Sequence, residues 1–389
     1  MVASTTKTQA PRRVWDFAAE GVNDYYPRVI ETLMEQGTEA APRGKRTREL
    51  HPTTVLLQDP RKRLLTAHGR MINVPFALAE IVQIITGTND AQALAWYNSG
   101  IIAIQGDGPR GTPHWELGVT RFNAAYGERL RQYNVGQTKM DQLEHVIKTL
   151  RKDPDSRQAS IVLSHPMFDN YEVQTVDRAC NVYAHAMIRD GAVDWMQIIR
   201  SNDAIWGIPY NMMQWCHLHE WVAAELQRHT GTMFIVQDSF HVYEDKYDEA
   251  RKIEPFDLYQ YIDVLPMSAS DGIAEDLLFA ERNIRAGMEY GPDKMKQLEQ
   301  RVGPYWCAVI ACFQSYRAFK KIHDDKAFEL LPQYAELRLP MLRNYCQWRW
   351  NKMSKIFADL RHAAFLEVSM VGVPHEEVEK WLGPKQILS

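Results

Sequence analysis

Polar and apolar residues alternate along residues 182–187 and 193–199, the two-residue period of half-buried strands, and the two segments are close enough to pair. Residues 53–57, 63–66, 159–163 and 232–236 have the same character, the first two flanking a turn at Gln58-Asp-Pro-Arg61. Helical spacing marks 74–85, 90–97, 122–133, 140–150 and 211–229 instead. It also marks 14–37, through Val14, Phe17, Val22, Tyr26, Val29, Ile30 and Leu33, with Gly21 and Pro27 dividing the pattern. Residues 103–118 are rich in glycine and proline and read as a loop. From about residue 268 the period is helical over 272–300, 305–323, 325–337 and 340–363, with breaks expected at Gly303-Pro304 and Leu339-Pro340. Helices mixed with mostly antiparallel-looking strands, without βαβ regularity, give an α+β fold class. The chain divides into an N-terminal arm and helix (1–40), a central domain (41–267) and a helical C-terminal region (268–389).

Composition narrows the function. The chain has 389 residues, 45% of them hydrophobic, enough for one large domain with an appendage or for two domains. Its 45 basic and 49 acidic residues leave a net charge of −4, so no global field draws a nucleic-acid polymer or a membrane surface. A small phosphate-bearing ligand remains compatible. Five cysteines without a Cys-x-x-Cys pair argue against a disulfide framework or a four-cysteine zinc site, and no metal is expected. No apolar run approaches ~18 residues, and the N-terminal MVASTTKTQAPRR lacks a signal core, so a cytoplasmic protein with a short flexible arm is expected.

The densest chemistry lies between Asp177 and Asn211. A thiol (Cys180), a guanidinium (Arg200), a carboxylate (Asp203) and a carboxamide (Asn211) would converge if the two alternating segments pair. Each also has an ordinary reading: Cys180 as a small core residue, Asn211 as a helix N-cap. Glu80 stands in the apolar helix pattern of 74–85, where a buried carboxylate costs several kcal/mol unless paired. It is either functional or a surface position. The run Pro42-Arg-Gly-Lys-Arg-Thr-Arg48 is either a solvated loop or an arm whose arginine forks clamp an anion. The C-terminal aromatics, Tyr305, Trp306, Phe313, Tyr316, Tyr345, Trp348 and Trp350, read as core.

The pattern Arg200-Ser-x-Asp203-x-x-x-Gly207-x-Pro209-Tyr210-Asn211 resembles the nucleotide-binding signature of the thymidylate synthase superfamily, which includes the pyrimidine-nucleotide hydroxymethylases. Weaker matches follow the family's order: Glu80 before Gly87-Thr-Asn, Tyr126-Gly127, Asp153-Pro-Asp-Ser-Arg157, Cys180, and Asp238-x-x-His241-x-Tyr243. Together they cover about residues 42–265. The resemblance implies a thymidylate synthase-like fold, with a mixed or antiparallel sheet and surrounding helices, extended by the helical C-terminal region.

It also implies a chemistry. A thiolate adding at C6 of uracil turns C5 into a nucleophile toward a one-carbon electrophile, and Cys180 would be that thiolate, favoured by a nearby arginine. Asn211 would read N3–H and O4 of uracil, since a carboxamide offers one acceptor and one donor; a carboxylate there accompanies cytosine. Arg46 and Arg200 would bind phosphate, joined by Arg157 from the partner of a homodimer. His241 and Tyr243 would hold the sugar from one face of a strand. Ser201 and Asn202 are lesser phosphate and ring contacts. Asp203 and Gly207 would meet the pterin of 5,10-methylenetetrahydrofolate. Glu80 would organise proton transfer through water, and Tyr126 would help remove the C5 proton.

The departures point to a particular branch. The family's Pro-Cys-His is Ala179-Cys180-Asn181 here, and its paired arginines are Arg157-Gln158, with Arg178 a candidate replacement. No tryptophan stands in Ile101-Ile-Ala-Ile-Gln105, Trp115 comes only ten residues later, and the chain ends Gln386-Ile-Leu-Ser instead of in a short apolar lid. Bulky aromatics and a lid exclude water, and without them the C5 methylene would take water in place of hydride. The reading is therefore a deoxyuridylate hydroxymethyltransferase acting on dUMP, of the kind phages use, working in the host cytoplasm if phage-encoded. The alternatives are a thymidylate synthase, a dCMP or CMP hydroxymethylase, or an inactive nucleotide-binding homologue.

Overall fold

The computed structural model describes residues 14–103, 120–171, 177–321, 324–349 and 354–383. Strands Asn181–Arg189 and Ala192–Ile199 do pair antiparallel. Their two-residue turn, Asp190-Gly191, has both φ angles positive (49° and 80°), the hairpin geometry matched to strand twist. They belong to a six-stranded sheet ordered Trp15–Ala19, Thr53–Leu57, His229–Gln237, Ala192–Ile199, Asn181–Arg189, Ser160–Val162. Two of its pairings are parallel and three antiparallel, so the sheet is mixed. Parallel neighbours need a long crossover. Between Ala192–Ile199 and His229–Gln237 that crossover contains the helix Ile208–Glu225, which packs on both strands. At the sheet's edge, Gln142 accepts from the Val162 N–H (2.9 Å) and donates to its carbonyl (2.8 Å), blunting an open strand.

A second sheet, ordered Asn202–Asp203, Phe240–Tyr243, Thr47–Leu50, Thr38–Ala40, gathers the nucleotide signature, the His241 segment and the basic run. The helix Val74–Thr86 starts on an Asn73 cap that accepts from the Phe76 N–H (3.1 Å) and stops at Gly87, whose φ of 73° few other residues adopt cheaply.

Four local expectations change, one being that the helix expected over 272–300 is interrupted between Ala286 and Pro292. Trp15–Ala19 is a strand, drawn into parallel pairing with Thr53–Leu57, and the helix begins only at Val22, running to Gln36 with Pro27 inside. Residues 63–66 form no strand, because distant side chains take their backbone groups. Asn23 Oδ1 accepts from the Thr66 N–H (2.7 Å), and Asn23 Nδ2 donates to the Leu64 carbonyl (3.1 Å). Arg343 and Trp381 both donate to the Thr66 carbonyl (3.1 and 2.9 Å). Pro340 lies inside the helix Ala335–Arg349, while the break at Gly303 is a kink (φ 83°) within Pro292–Lys320.

The C-terminal helices Asp271–Ala286, Pro292–Lys320, Asp324–Glu329, Ala335–Arg349, Ser354–Met370 and His375–Leu382 share one hydrophobic core with the sheet, running from Ala19 to Leu382. Tyr305, Trp306, Phe313, Tyr316 and Tyr345 are buried in it, whereas Trp350 lies outside the described residues. No helix among the described residues is long and apolar enough to cross a membrane.

Candidate active site

Cys180 immediately precedes the strand Asn181–Arg189 and is half-buried. Its N–H and that of Asn181 both donate to Tyr126 Oη, each at 3.1 Å. Tyr126 opens the helix Tyr126–Arg131 and sets its ring edge-on to Trp215, with centroids 5.3 Å apart. The approach to the cysteine is pinned twice. Asp177 accepts from the N–H groups of Asn123 (2.7 Å) and Ala124 (3.2 Å). Asp169, in a buried ion pair with Arg129, accepts from the N–H groups of Ala179 (3.2 Å) and His165 (2.7 Å). Just past the end of the next strand, Arg200 Nε donates to the Ala179 carbonyl (2.8 Å) and its backbone N–H to the Cys180 carbonyl (2.9 Å). Burial pushes the Cys180 thiol up; Arg200 and Arg43 pull against it without prevailing, and Asp177 adds to the rise. The expected arginine is therefore at hand, but burial outweighs it and the thiol form is favoured.

Asn211 sits in the first turn of Ile208–Glu225, capped by Gly207. Its Oδ1 accepts from Asn181 Nδ2 (3.2 Å), and its Nδ2 donates to Asn202 Oδ1 (2.9 Å). A Cβ on Gly207 would lie 2.8 Å from Asn202 Oδ1 and from the backbone of Asp203, so only glycine permits this packing. Asp203 Oδ1 accepts from the N–H groups of Ile205 (2.7 Å) and Trp206 (2.6 Å), turning the chain into the helix. Trp206 is 54% exposed, between Lys246 (5.0 Å from the ring centroid) and Arg70 (5.4 Å).

Glu80 lies on Val74–Thr86, which packs against Ile208–Glu225. Burial raises its pKa to about 8, with Gln214 pulling the other way. Its Oε2 has no hydrogen-bond partner among the described residues, and neither do Gln214 Oε1 and Trp215 Nε1. Tyr126, pushed up to about 12 chiefly by burial, accepts two N–H groups and keeps its own proton to donate.

Asp203 and His241 are register partners in the second sheet, and Tyr243 meets His241 edge-to-face at 5.3 Å. Ser201 is half-buried between Arg200 and Asn202. Arg46 instead faces Glu244 (2.9 Å) and Glu39 (3.6 Å) and is largely exposed. Arg157 stands exposed just before the strand Ser160–Val162. Cys180, Tyr126, Arg200, Asn202, Asp203, Gly207, Asn211 and, through Gln214, Glu80 thus come together, whereas Arg46 and Arg157 do not join them. Gln105, Trp115 and the C-terminal Gln386–Ser389 stretch lie outside the described residues.

Sequence reasoning passes over Arg43, Trp206 and the Arg129–Asp169 pair. Arg43 is one of four bases in its run, and nothing local singles it out. Trp206 carries a signal, a large aromatic inside the signature loop. The ion pair carries none, because its members are 40 residues apart.

The family model described as thymidylate synthase matches residues 24–254. The chain is similar to the deoxyuridylate hydroxymethyltransferase of Bacillus phage SP01, 34% identical over 241 residues and covering 60% of each chain. It is also similar to the deoxyuridylate hydroxymethyltransferase of Pseudomonas phage M6, 30% identical over 332 residues, covering 81% of this chain and 85% of that one. That coverage is more than residues 1–267 alone can supply, so the likeness runs into the helical C-terminal region. A putative thymidylate synthase of Methanosarcina acetivorans is 34% identical over 132 residues, covering 34% of this chain and 58% of that one. The first of these matches thus spans less than two thirds of its relative's length.

Proposed function

The chain belongs to the thymidylate synthase family, and from that premise we propose that it transfers a one-carbon unit from 5,10-methylenetetrahydrofolate to C5 of dUMP, with water capture giving 5-hydroxymethyl-dUMP. The observation that carries this reading is Asn211, gripped between Asn202 and Asn181, the latter being the residue that follows Cys180. One acceptor and one donor of its amide match N3–H and O4 of uracil. Cys180 Sγ would add at C6, helped by Arg200 and Arg43 as the thiolate forms. Glu80, raised to about 8, carries its proton at neutral pH and can supply it toward O4 through water. The phosphate would meet Arg200, Arg43 and Ser201, with Arg46 released from Glu244, and the sugar would meet His241 and Tyr243. Arg178 is the candidate to serve the phosphate in place of the second family arginine, whose position Gln158 occupies.

The folate site has a fit. Asp203 uses Oδ1 in its turn, and exposed Trp206 next to it offers an aromatic face to a pterin or its benzoyl neighbour. The bound folate supplies carbon at the formaldehyde level of oxidation. Whether hydride or water then meets the C5 methylene sets the product. Two relatives named for hydroxymethyl transfer support water. The chain as a homodimer belongs to the same reading, because the sheet face away from the core carries half-buried Tyr183, Met187, Met196, Ile198, Phe234 and Val236. There Arg157 would reach the partner's phosphate. In this reading the central domain, 41–267, holds the chemistry and residues 268–389 extend and brace it.

The deciding experiment incubates the protein with dUMP and methylenetetrahydrofolate and resolves the nucleotide product by mass. 5-Hydroxymethyl-dUMP is expected. Thymidylate accompanied by dihydrofolate would make the protein a reductive synthase, and turnover of dCMP above dUMP would make it a cytosine hydroxymethylase.

A further inference from the structure

A line of hydrogen bonds runs through the buried floor of the pocket. Trp195 Nε1 donates to Gln197 Oε1 (3.1 Å), and Gln197 Nε2 donates to Asn181 Oδ1 (3.1 Å). Asn181 Nδ2 donates to Asn211 Oδ1 (3.2 Å), and Asn211 Nδ2 to Asn202 Oδ1 (2.9 Å). Asn202 Nδ2 donates to Gln237 Oε1 (2.7 Å), and Gln237 Nε2 to Tyr25 Oη (2.9 Å) and Thr53 Oγ1 (3.1 Å). Five carboxamides therefore point the same way, each receiving at oxygen and giving at nitrogen. Apart from half-buried Asn211, every amide in the line, and Trp195 as well, is at most 2% exposed, which leaves little room for water as a substitute partner.

The two ends of the line differ in kind. Tyr25 and Thr53 are hydroxyls that can donate or accept, whereas an indole N–H can only donate. One atom, Trp195 Nε1, therefore sets the direction of the whole line.

We propose that Trp195 and Gln197 are specificity-determining positioning residues that select uracil over cytosine by fixing which way the Asn211 amide faces. The inference rests on the reading of Asn211 as the pyrimidine contact. Held as it is, Asn211 keeps a lone pair on Oδ1 for N3–H and one N–H for O4. Cytosine presents the reverse, a lone pair at N3 and an amino group at C4, and would need the amide turned over. A free asparagine could turn. Here a turned Asn211 would set its NH2 against that of Asn181 and its oxygen against that of Asn202, two buried clashes of like groups. All five amides could turn together to escape, but Gln197 would then present its NH2 to the indole N–H.

The test uses the full chain and reads binding and C5–tritium release with dUMP and dCMP side by side. W195F keeps the ring and removes the donor. Its dUMP:dCMP preference is expected to fall about tenfold or more, the factor that ~1.4 kcal/mol represents, with dCMP improving as dUMP weakens. Q197E makes that position an acceptor only, which takes N–H bonds from both Trp195 and Asn181. The remaining amides then turn over, the Tyr25 and Thr53 hydroxyls become donors, and preference is expected to swing toward dCMP. Folded variants that both keep the wild-type ratio, or that lose both nucleotides equally, overturn the inference while leaving the functional reading intact. Wild-type protein that does not bind dUMP overturns the functional reading, and this inference with it. Should W195F fail to fold, Q197E alone decides.

Discussion

On one side of the candidate pocket Asn211 is held by Asn181 and Asn202, and each polar group in that line has its partner. On the other side Glu80 Oε2, Gln214 Oε1 and Trp215 Nε1 are buried with none among the described residues. The two sides suit different work. A satisfied line of amides is rigid and gives the same answer each time, which recognition requires. Buried polar atoms without partners are costly, and the same burial that leaves them so holds the Glu80 carboxyl near neutrality, where it can pass a proton. The shared frame is the Cys180 segment, tied to one side through Asn181 and to the other through Tyr126.

Removing the proposed nucleophile should have the largest effect and leave both sides standing. C180A is expected to cut C5–tritium release from dUMP by about 10,000-fold or more while dUMP still binds. Unchanged release would break the assignment of Cys180. E80Q attacks the proposed proton-handling side alone. A fall in kcat of about 100-fold to 10,000-fold is expected, with dUMP:dCMP preference untouched. Its pH signature has a definite sign. With Glu80 raised to about 8, the native state keeps a proton that the unfolded chain releases above the ordinary 4.5, so Glu80's contribution to stability is present below about 4.5 and lost as pH rises through 8. Denaturant unfolding across that window should show E80Q falling less steeply than wild type. Parallel curves would mean that Glu80 is not a buried neutral acid.

D169N strikes the shared frame. Leaving Arg129 buried without its carboxylate should cost about 3–5 kcal/mol in chemical denaturation, since breaking one member of a buried pair strands the other. A loss below about 1 kcal/mol would show that the Cys180 segment is held by other means. W206A should be mildest, raising the KM for methylenetetrahydrofolate about threefold to tenfold with little change in dUMP binding, the scale of one aromatic contact.

Much of the recognition side is legible in the sequence. The signature from Arg200 to Asn211 names the residues, and alternation over 182–187 and 193–199 foretells the hairpin that carries them. The proton-handling side is half legible: Glu80 looks out of place in an apolar helix, but Gln214 and Trp215 look like ordinary helix positions. The strand at Trp15–Ala19 reads locally as helix because its partner, Thr53–Leu57, is nearly 40 residues away, and pairing overrides a weak local period. Residues 63–66 read locally as a strand because their true partners are side chains such as Arg343 and Trp381, some 280 to 315 residues distant.

By itself, the sequence determined the chemistry on offer: a thiol, an arginine, an aspartate and an asparagine at a spacing that one hairpin and one helix could gather, and a helical region behind them. Those are properties of residue type and local period, which the chain carries in its order. The tertiary structure decided which way the Asn211 amide points, that burial outweighs Arg200 at Cys180, and that Glu80 stays protonated near neutral pH. Each of these depends on what surrounds a group in space, because desolvation and hydrogen-bond direction are set by neighbours that are remote along the chain.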